Sequence, residues 1–183
     1  AVPYILKTID LSHSKSERIR LYYLLGQLST LTNKPDDAVK YFTKVLRKNT
    51  SYEMAFNAKI SLASIIRSAD NDKEMKRLLI KLSKDQKNKD YLDQIYYALG
   101  NIEKAEGNLD KAIEYFKLSA SRSSGNNYQK GLSYLTLADY YFAKPNYIQS
   151  QAYYDSALTS LDNTYPDYQK LETKTRFLNK LVE

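Results

Sequence analysis

The chain has 183 residues and a formal net charge of +7, with 43% hydrophobic and 27% charged residues, the proportions of an ordinary folded domain. It has no Cys and a single His, which excludes a disulfide framework, a thiolate zinc site and a Cys–His dyad within the chain. With 5 Gly and 4 Pro, turns are too few for a many-stranded sheet, and no run of about 18 apolar residues is present to span a membrane as a helix.

Residues 1–10 (AVPYILKTID) show neither a basic leader nor a long apolar stretch, so no signal peptide is visible. They align instead with residues 38–47 (AVKYFTKVLR), placing Ala1 on Ala38, Tyr4 on Tyr41 and Ile5 on Phe42. Residues 1–12 therefore read as the second helix of a unit whose first helix is missing, in a chain expected to extend further upstream. Ser14 with Glu17 predicts a capping box for the next helix. His13, among serines just before that helix, reads as a loop residue.

Residues 22–45 read YYLLGQLSTLTNKPDDAVKYFTKV, and residues 96–119 read YYALGNIEKAEGNLDKAIEYFKLS. The two align without a gap, with Tyr22 on Tyr96, Leu25 on Leu99, Gly26 on Gly100, Ala38 on Ala112 and Phe42 on Phe116. Residues 134–157 align again through Tyr134, Leu137, Ala138, Ser150, Tyr154 and Ala157. Residues 58–81 are a weaker copy, with Ala58, Ser61, Leu62, Glu74 and Leu78. Gly26, Leu62, Gly100 and Ala138 are thus spaced by 36, 38 and 38 residues.

The physics of a helix pair fits this spacing. Gly inside a helix costs roughly 1 kcal/mol relative to Ala, and a close approach of a second helix accounts for tolerating it at Gly26 and Gly100. Ala38 and Ala112 face the same contact, and Phe42 and Phe116 follow one turn later on the same face. Turns at residues 33–36, 70–72, 107–108 and 144–146 separate the two helices of each unit. Residues 49–51, 86–89, 121–127 and 163–166 join the units, and SRSSGNN (121–127) is the stretch expected to be most flexible. Glu74 stands where the other units carry a small residue, so the second unit is the one expected to pack differently. The 18 tyrosines are expected to do the packing between helices, burying a ring while keeping the hydroxyl near water or a partner.

The recurring bulky residue, Leu-Gly, small residue and aromatic resemble the tetratricopeptide repeat (TPR), which recurs about every 34 residues. The resemblance implies an all-α fold, a right-handed superhelix of antiparallel helix pairs, or α-solenoid. The chain is expected to form one such domain over residues 1–183. It divides into the half unit 1–12, units at 16–49, 52–86, 90–122 and 128–162, and a capping helix at 166–183.

In TPR proteins the first helix of each unit lines a concave binding face. The matching positions here are Arg20, Tyr23 and Gln27, then Phe56, Lys59 and Ala63, then Gln94, Tyr97, Asn101 and Lys104, and finally Leu135 and Asp139. Some TPR co-chaperones clamp a partner's C-terminal carboxylate with Lys, Asn and Arg at such positions. Lys59, Asn101 and Lys104 fit that pattern only in part, and Tyr23 and Tyr97 replace polar residues. A second candidate surface is basic: Lys73, Lys76, Arg77, Lys81 and Lys84, opposite Met75, Leu78, Leu79 and Leu82. It reads as a solvated face, or as a contact for an acidic partner, lipid headgroups or, least expected of the three, nucleic acid.

Lys and Arg outnumber Asp and Glu by 9 to 4 over residues 1–49 and by 9 to 6 over 50–90. The balance is then 4 to 5 over 91–127 and 6 to 6 over 128–183. The basic half points to an acidic partner or surface. No nucleic-acid reading motif accompanies it, and nucleic acid is not expected. No Gly-rich phosphate loop or catalytic constellation appears, so no catalytic residue, no cofactor and no metal are expected.

Four segments, YEMAFNAKI (52–60), YLDQIYYALG (91–100), QAYYDSAL (151–158) and TYPDYQ (164–169), carry a narrower resemblance. They are similar to the TPR region of the PorW/SprE family, Bacteroidetes cell-envelope lipoproteins required for type IX secretion and gliding motility. That resemblance implies a protein-binding scaffold at the periplasmic face of the outer membrane. Its lipid-bearing Cys would have to lie upstream of these residues. The alternative from the repeats alone is a cytoplasmic TPR adaptor or co-chaperone that binds a peptide tail.

Overall fold

The computed structural model describes residues 2–65 and 69–182. Ten α-helices are present among the described residues, and no strand is. Packing divides the chain into two compact units, residues 1–75 and 76–183.

The first unit holds α1 (Val2–Leu11), α2 (Lys15–Leu31), α3 (Pro35–Leu46) and α4 (Tyr52–Ile65). The boundary between the units falls inside α5 (Ala69–Ser83). The second unit continues through a 3-10 turn (Gln86–Tyr91) to α6 (Leu92–Ala105), α7 (Leu109–Arg122), α8 (Asn127–Ala143), α9 (Tyr147–Ser160) and α10 (Tyr168–Val182). The pairs α2–α3, α6–α7 and α8–α9 make the most extensive contacts, and their short connections make each pair antiparallel.

Two of these pairs, α2–α3 and α6–α7, close through the same device. A Cβ placed on Gly26 would lie 2.7 Å from Cε1 of Phe42, and one placed on Gly100 would lie 2.7 Å from Cε1 of Phe116. The missing methyl is what lets each ring lie flat on the neighbouring helix. Ala38 and Ala112 are buried beside these contacts. The α8–α9 pair solves the problem differently. Its anchor is Ala138, Tyr154 takes the ring position, and Ser150 takes the small position, donating its hydroxyl to the Ala138 carbonyl at 2.9 Å. Gly131, on α8, makes a further close approach: an added Cβ would meet Leu161 Cγ at 2.5 Å.

Tyrosine does the packing between paired helices. Tyr22 stacks on Tyr41 at 6.4 Å, Tyr96 on Tyr115 at 6.1 Å, and Tyr134 meets Tyr153 at 6.1 Å. Tyr23 lies edge-on to Phe42 at 5.5 Å and Tyr97 is tilted against Phe116 at 5.4 Å.

The ends of the helices explain the turns. Asn33 (φ 54°) and Gly107 (φ 81°) adopt the left-handed conformation that terminates α2 and α6. The following amides reach back, Lys34 N to the Ser29 carbonyl at 2.8 Å and Asn108 N to the Glu103 carbonyl at 2.9 Å. At the start of α3, Pro35 occupies the first turn with Asp36 and Asp37 beside it, and Lys44 sits in the last turn, each favourable to the helix dipole.

Three expectations are corrected. The Ser14–Glu17 capping box forms only by half: Ser14 Oγ accepts from the Glu17 amide at 3.3 Å, while the Glu17 carboxylate takes the Ser12 hydroxyl at 2.6 Å. Ser12 in turn accepts from the Ser14 amide at 3.2 Å, so a relay through Ser12 replaces the direct return bond. Residues 70–72, expected as a turn, lie in the first turn of α5, and residues 66–68 lie outside the described residues. In α5 the fully buried side chain is Leu79, with Leu78 half-buried and Glu74 exposed, so the inward face is displaced by one residue from the aligned register.

The linker at 121–127 is tied down rather than loose. Ser123 Oγ and Asn126 Nδ2 each donate to Oδ2 of the buried Asp93 at 3.0 Å. Asp93 also takes the Gln94 amide on Oδ1 at 2.8 Å. Its backbone carbonyl accepts from Ser119 Oγ at 2.7 Å, and Ser119 pairs with Ser133 at 2.7 Å. This buried polar junction joins α6, α7 and α8, and its donors and acceptors satisfy one another, as burial requires.

Candidate functional site

The first-helix positions divide between the two units. In the first, Arg20, Gln27 and Lys59 are exposed and Tyr23 is half-buried, but Phe56 is only 3% exposed. Phe56 therefore belongs to the core and presents no surface to a partner. Tyr23 is held by its ring contact with Phe42 and by a hydrogen bond with Ser61; burial pushes its phenol pKa up. Arg20 opens into a cleft of about 340 Å³ that Lys15, Ile19, Ser51 and Met54 also line, a feature the repeat alignment gave no reason to expect.

In the second unit the structure brings two of the expected residues to one place. Lys104, from the last turn of α6, and Asp139, from α8, border one cavity of about 200 Å³. Its floor is apolar, formed by Leu109, Ile113 and Phe116 of α7, and Thr136 and Tyr140 of α8 complete the wall. Both charged residues are exposed, so the cavity has an apolar base and a rim carrying one charge of each sign. Gln94 and Asn101 are half-buried along α6. Tyr97 is occupied structurally: its ring tilts on Phe116, and its hydroxyl lies 3.3 Å from Thr136 Oγ1, tying α6 to α8.

Asp139 is set by its neighbours. The hydroxyl of the fully buried Tyr154 donates to Asp139 Oδ1. Burial, and then this bond to a carboxylate, drive the Tyr154 phenol pKa far up, so it remains a donor across the ordinary pH range. Lys174 of α10 also reaches Asp139 Oδ1, at 3.2 Å.

On the basic helix, Lys73, Arg77 and Lys81 are exposed, and Lys84, also exposed, lies just beyond the end of α5. Lys76 does not belong with them. Its ammonium is 2.6 Å from Glu103 Oε1 and 3.0 Å from Glu106 Oε2. Glu103 is 1% exposed, and its other oxygen accepts from Asn108 Nδ2 at 2.8 Å. Burial by itself would raise the Glu103 pKa, but the Lys76 and Asn108 hydrogen bonds outweigh it and hold the carboxyl below the ordinary range. Desolvation likewise opposes the charge on Lys76, and its two carboxylate partners more than offset it, raising its pKa. The sequence offered no signal for this pairing, because Lys76 and Glu103 belong to different repeats.

Among the described residues, no three His, Asp or Glu side chains converge as a metal site, and no helix is long and apolar enough to cross a membrane. No curated protein matches the chain. The family model for the tetratricopeptide repeat matches residues 19–47 and 93–126. Those segments coincide with the α2–α3 and α6–α7 pairs, the two in which glycine lies under a phenylalanine ring. Sequence match and helix packing therefore agree for these two pairs, which are similar to tetratricopeptide repeats, and the all-α fold is of that kind.

Proposed function

We propose that this chain is a non-catalytic scaffold for protein–protein interaction, working in the cell envelope as part of a type IX secretion or gliding machine. The observation that carries the scaffold reading is the cavity between α6, α7 and α8, where Lys104 and Asp139 stand over an apolar floor. Such a site suits holding a partner's side chain by shape and charge. The secretion role rests on the resemblance of YEMAFNAKI, YLDQIYYALG, QAYYDSAL and TYPDYQ to the PorW/SprE proteins. On that reading the chain works on the periplasmic face of the outer membrane, anchored through a lipid attached outside these residues. The exposed cations of α5 offer a further contact for an acidic partner.

The test is affinity capture from native envelope by the protein and by a variant carrying Arg20→Glu and Lys104→Glu, two exposed changes, one in each unit. An envelope partner captured by the parent and lost by the variant, at an unchanged melting temperature, supports the proposal. The same partners at the same yield would show that binding lies elsewhere. Capture of a soluble chaperone tail instead would favour the cytoplasmic adaptor.

A further inference from the structure

Lys174 projects from α10 into a small cage. Its ammonium lies 4.6 Å from the ring centre of Phe142 and 4.6 Å from that of Tyr154, and 3.2 Å from Asp139 Oδ1. Two aromatic faces and one carboxylate around a single cation are the chemistry of a cation-recognition site. The carboxylate is held without help from Lys174, because the Tyr154 hydroxyl donates to Asp139. Asp139 also borders the cavity over Leu109, Ile113 and Phe116, so cage and cavity adjoin through one residue.

The attachment of α10 does not depend on Lys174. Leu171 and Leu178 are buried against Ala138, Tyr154 and Leu161 and hold the helix in place. The Lys174 contacts are solvated, with side-chain exposures of 41% for Lys174 and 58% for Asp139. Contacts of that kind are weak and readily exchanged. Residues 91–183 are near neutral, with 10 basic and 11 acidic side chains, so the positive excess of the first half does not extend to this region.

We propose that Asp139, Phe142 and Tyr154 form a receptor for a cationic side chain, that Lys174 fills it as an internal stand-in, and that a partner protein segment with a lysine or arginine beside a large apolar residue displaces it. The cation enters the cage and the apolar residue enters the adjoining cavity. This deepens the groove reading of function and rests on it. Because Lys174 competes for the cage, the apparent affinity of the partner is reduced by the fraction of time the cage is filled.

The experiment is an NMR titration of the intact chain with two capped peptides, Gly-Leu-Lys-Gly and Gly-Leu-Glu-Gly. Lys174→Met keeps most of the aliphatic stem and removes the cation from the cage. It should tighten the lysine peptide about fivefold (about 1 kcal/mol) while leaving the glutamate peptide unchanged. Shifts should centre on Asp139, Phe142 and Tyr154. Adding Asp139→Asn should abolish the preference, and thermal melts of both variants establish that they fold. Equal binding of both peptides at the cavity, indifferent to Lys174→Met, would overturn the cage and leave the groove standing. No shift along α6 or α8 with either peptide would overturn both.

Discussion

At the scale of single residues, two glycines under phenylalanine rings decide how closely helices pair. Gly100→Ala should gain roughly 1 kcal/mol in helix propensity. The new methyl would meet Phe116 at 2.7 Å, however, and overpacking of that kind costs about 1–3 kcal/mol. The net effect expected is a lower melting temperature, with Phe116→Leu restoring part of it in the double variant. A Gly100→Ala protein at least as stable as the parent would show that the ring yields freely. Asp93 is the other decisive residue. Asp93→Ala leaves the hydroxyl of Ser123 and the amide of Asn126 without their acceptor. The expected loss is about 1–3 kcal/mol, with faster amide exchange in residues 121–127. Tyr97, expected at a groove position from its register, is held to Thr136. Tyr97→Phe removes the hydroxyl and keeps the ring, so it is the variant that separates binding from packing.

At the scale of elements, α5 is joined to the α6–α7 turn by charge. Lys76 meets Glu103 and Glu106, and Asn108 at the head of α7 closes the cluster. The pH dependence follows from the two shifts. Glu103 has a depressed pKa, so its contribution is present above the ordinary glutamate value of about 4.3 and is lost as pH falls through the folded value. Lys76 has a raised pKa, so its contribution is present below about 10.4 and is lost as pH rises through the folded value. Lys76→Met should therefore lower the melting temperature at pH 7 and flatten the loss of stability on acidification below about pH 4. An acid limb identical to the parent's would place the titration elsewhere. At neutral pH the expected cost is about 1–3 kcal/mol, since a buried carboxylate loses a charged donor while keeping Asn108.

At the scale of the whole molecule, charge is unevenly divided, and the excess of Lys and Arg lies in residues 1–90. Binding of a poly-glutamate peptide should fall steeply with salt, as expected where the screening length is about 8 Å at 0.15 M. It should weaken further when Arg77 and Lys81 are replaced by Glu; salt-independent binding would rule out the basic helix as the contact. The helix pairs, their small-on-aromatic contacts and the left-handed turn at Gly107 were all legible in the amino-acid order, because each depends on residues within one repeat. The polar junction around Asp93, the Lys76–Glu103 pair and the cage around Lys174 were not. Asp93 meets Ser123 and Asn126 from 30 and 33 residues away, and Lys174 meets Asp139 from 35 away, while Lys76 and Glu103 come from neighbouring repeats; no local pattern marks any of them. Phe56 shows the same limit from the other side, since register placed it on the groove and packing buried it. The sequence by itself determined the helical repeat, because helical period and side-chain size act over a few residues. Only the tertiary structure decided which polar groups meet, because that depends on how neighbouring pairs stack, and stacking is settled by burial rather than by spacing along the chain.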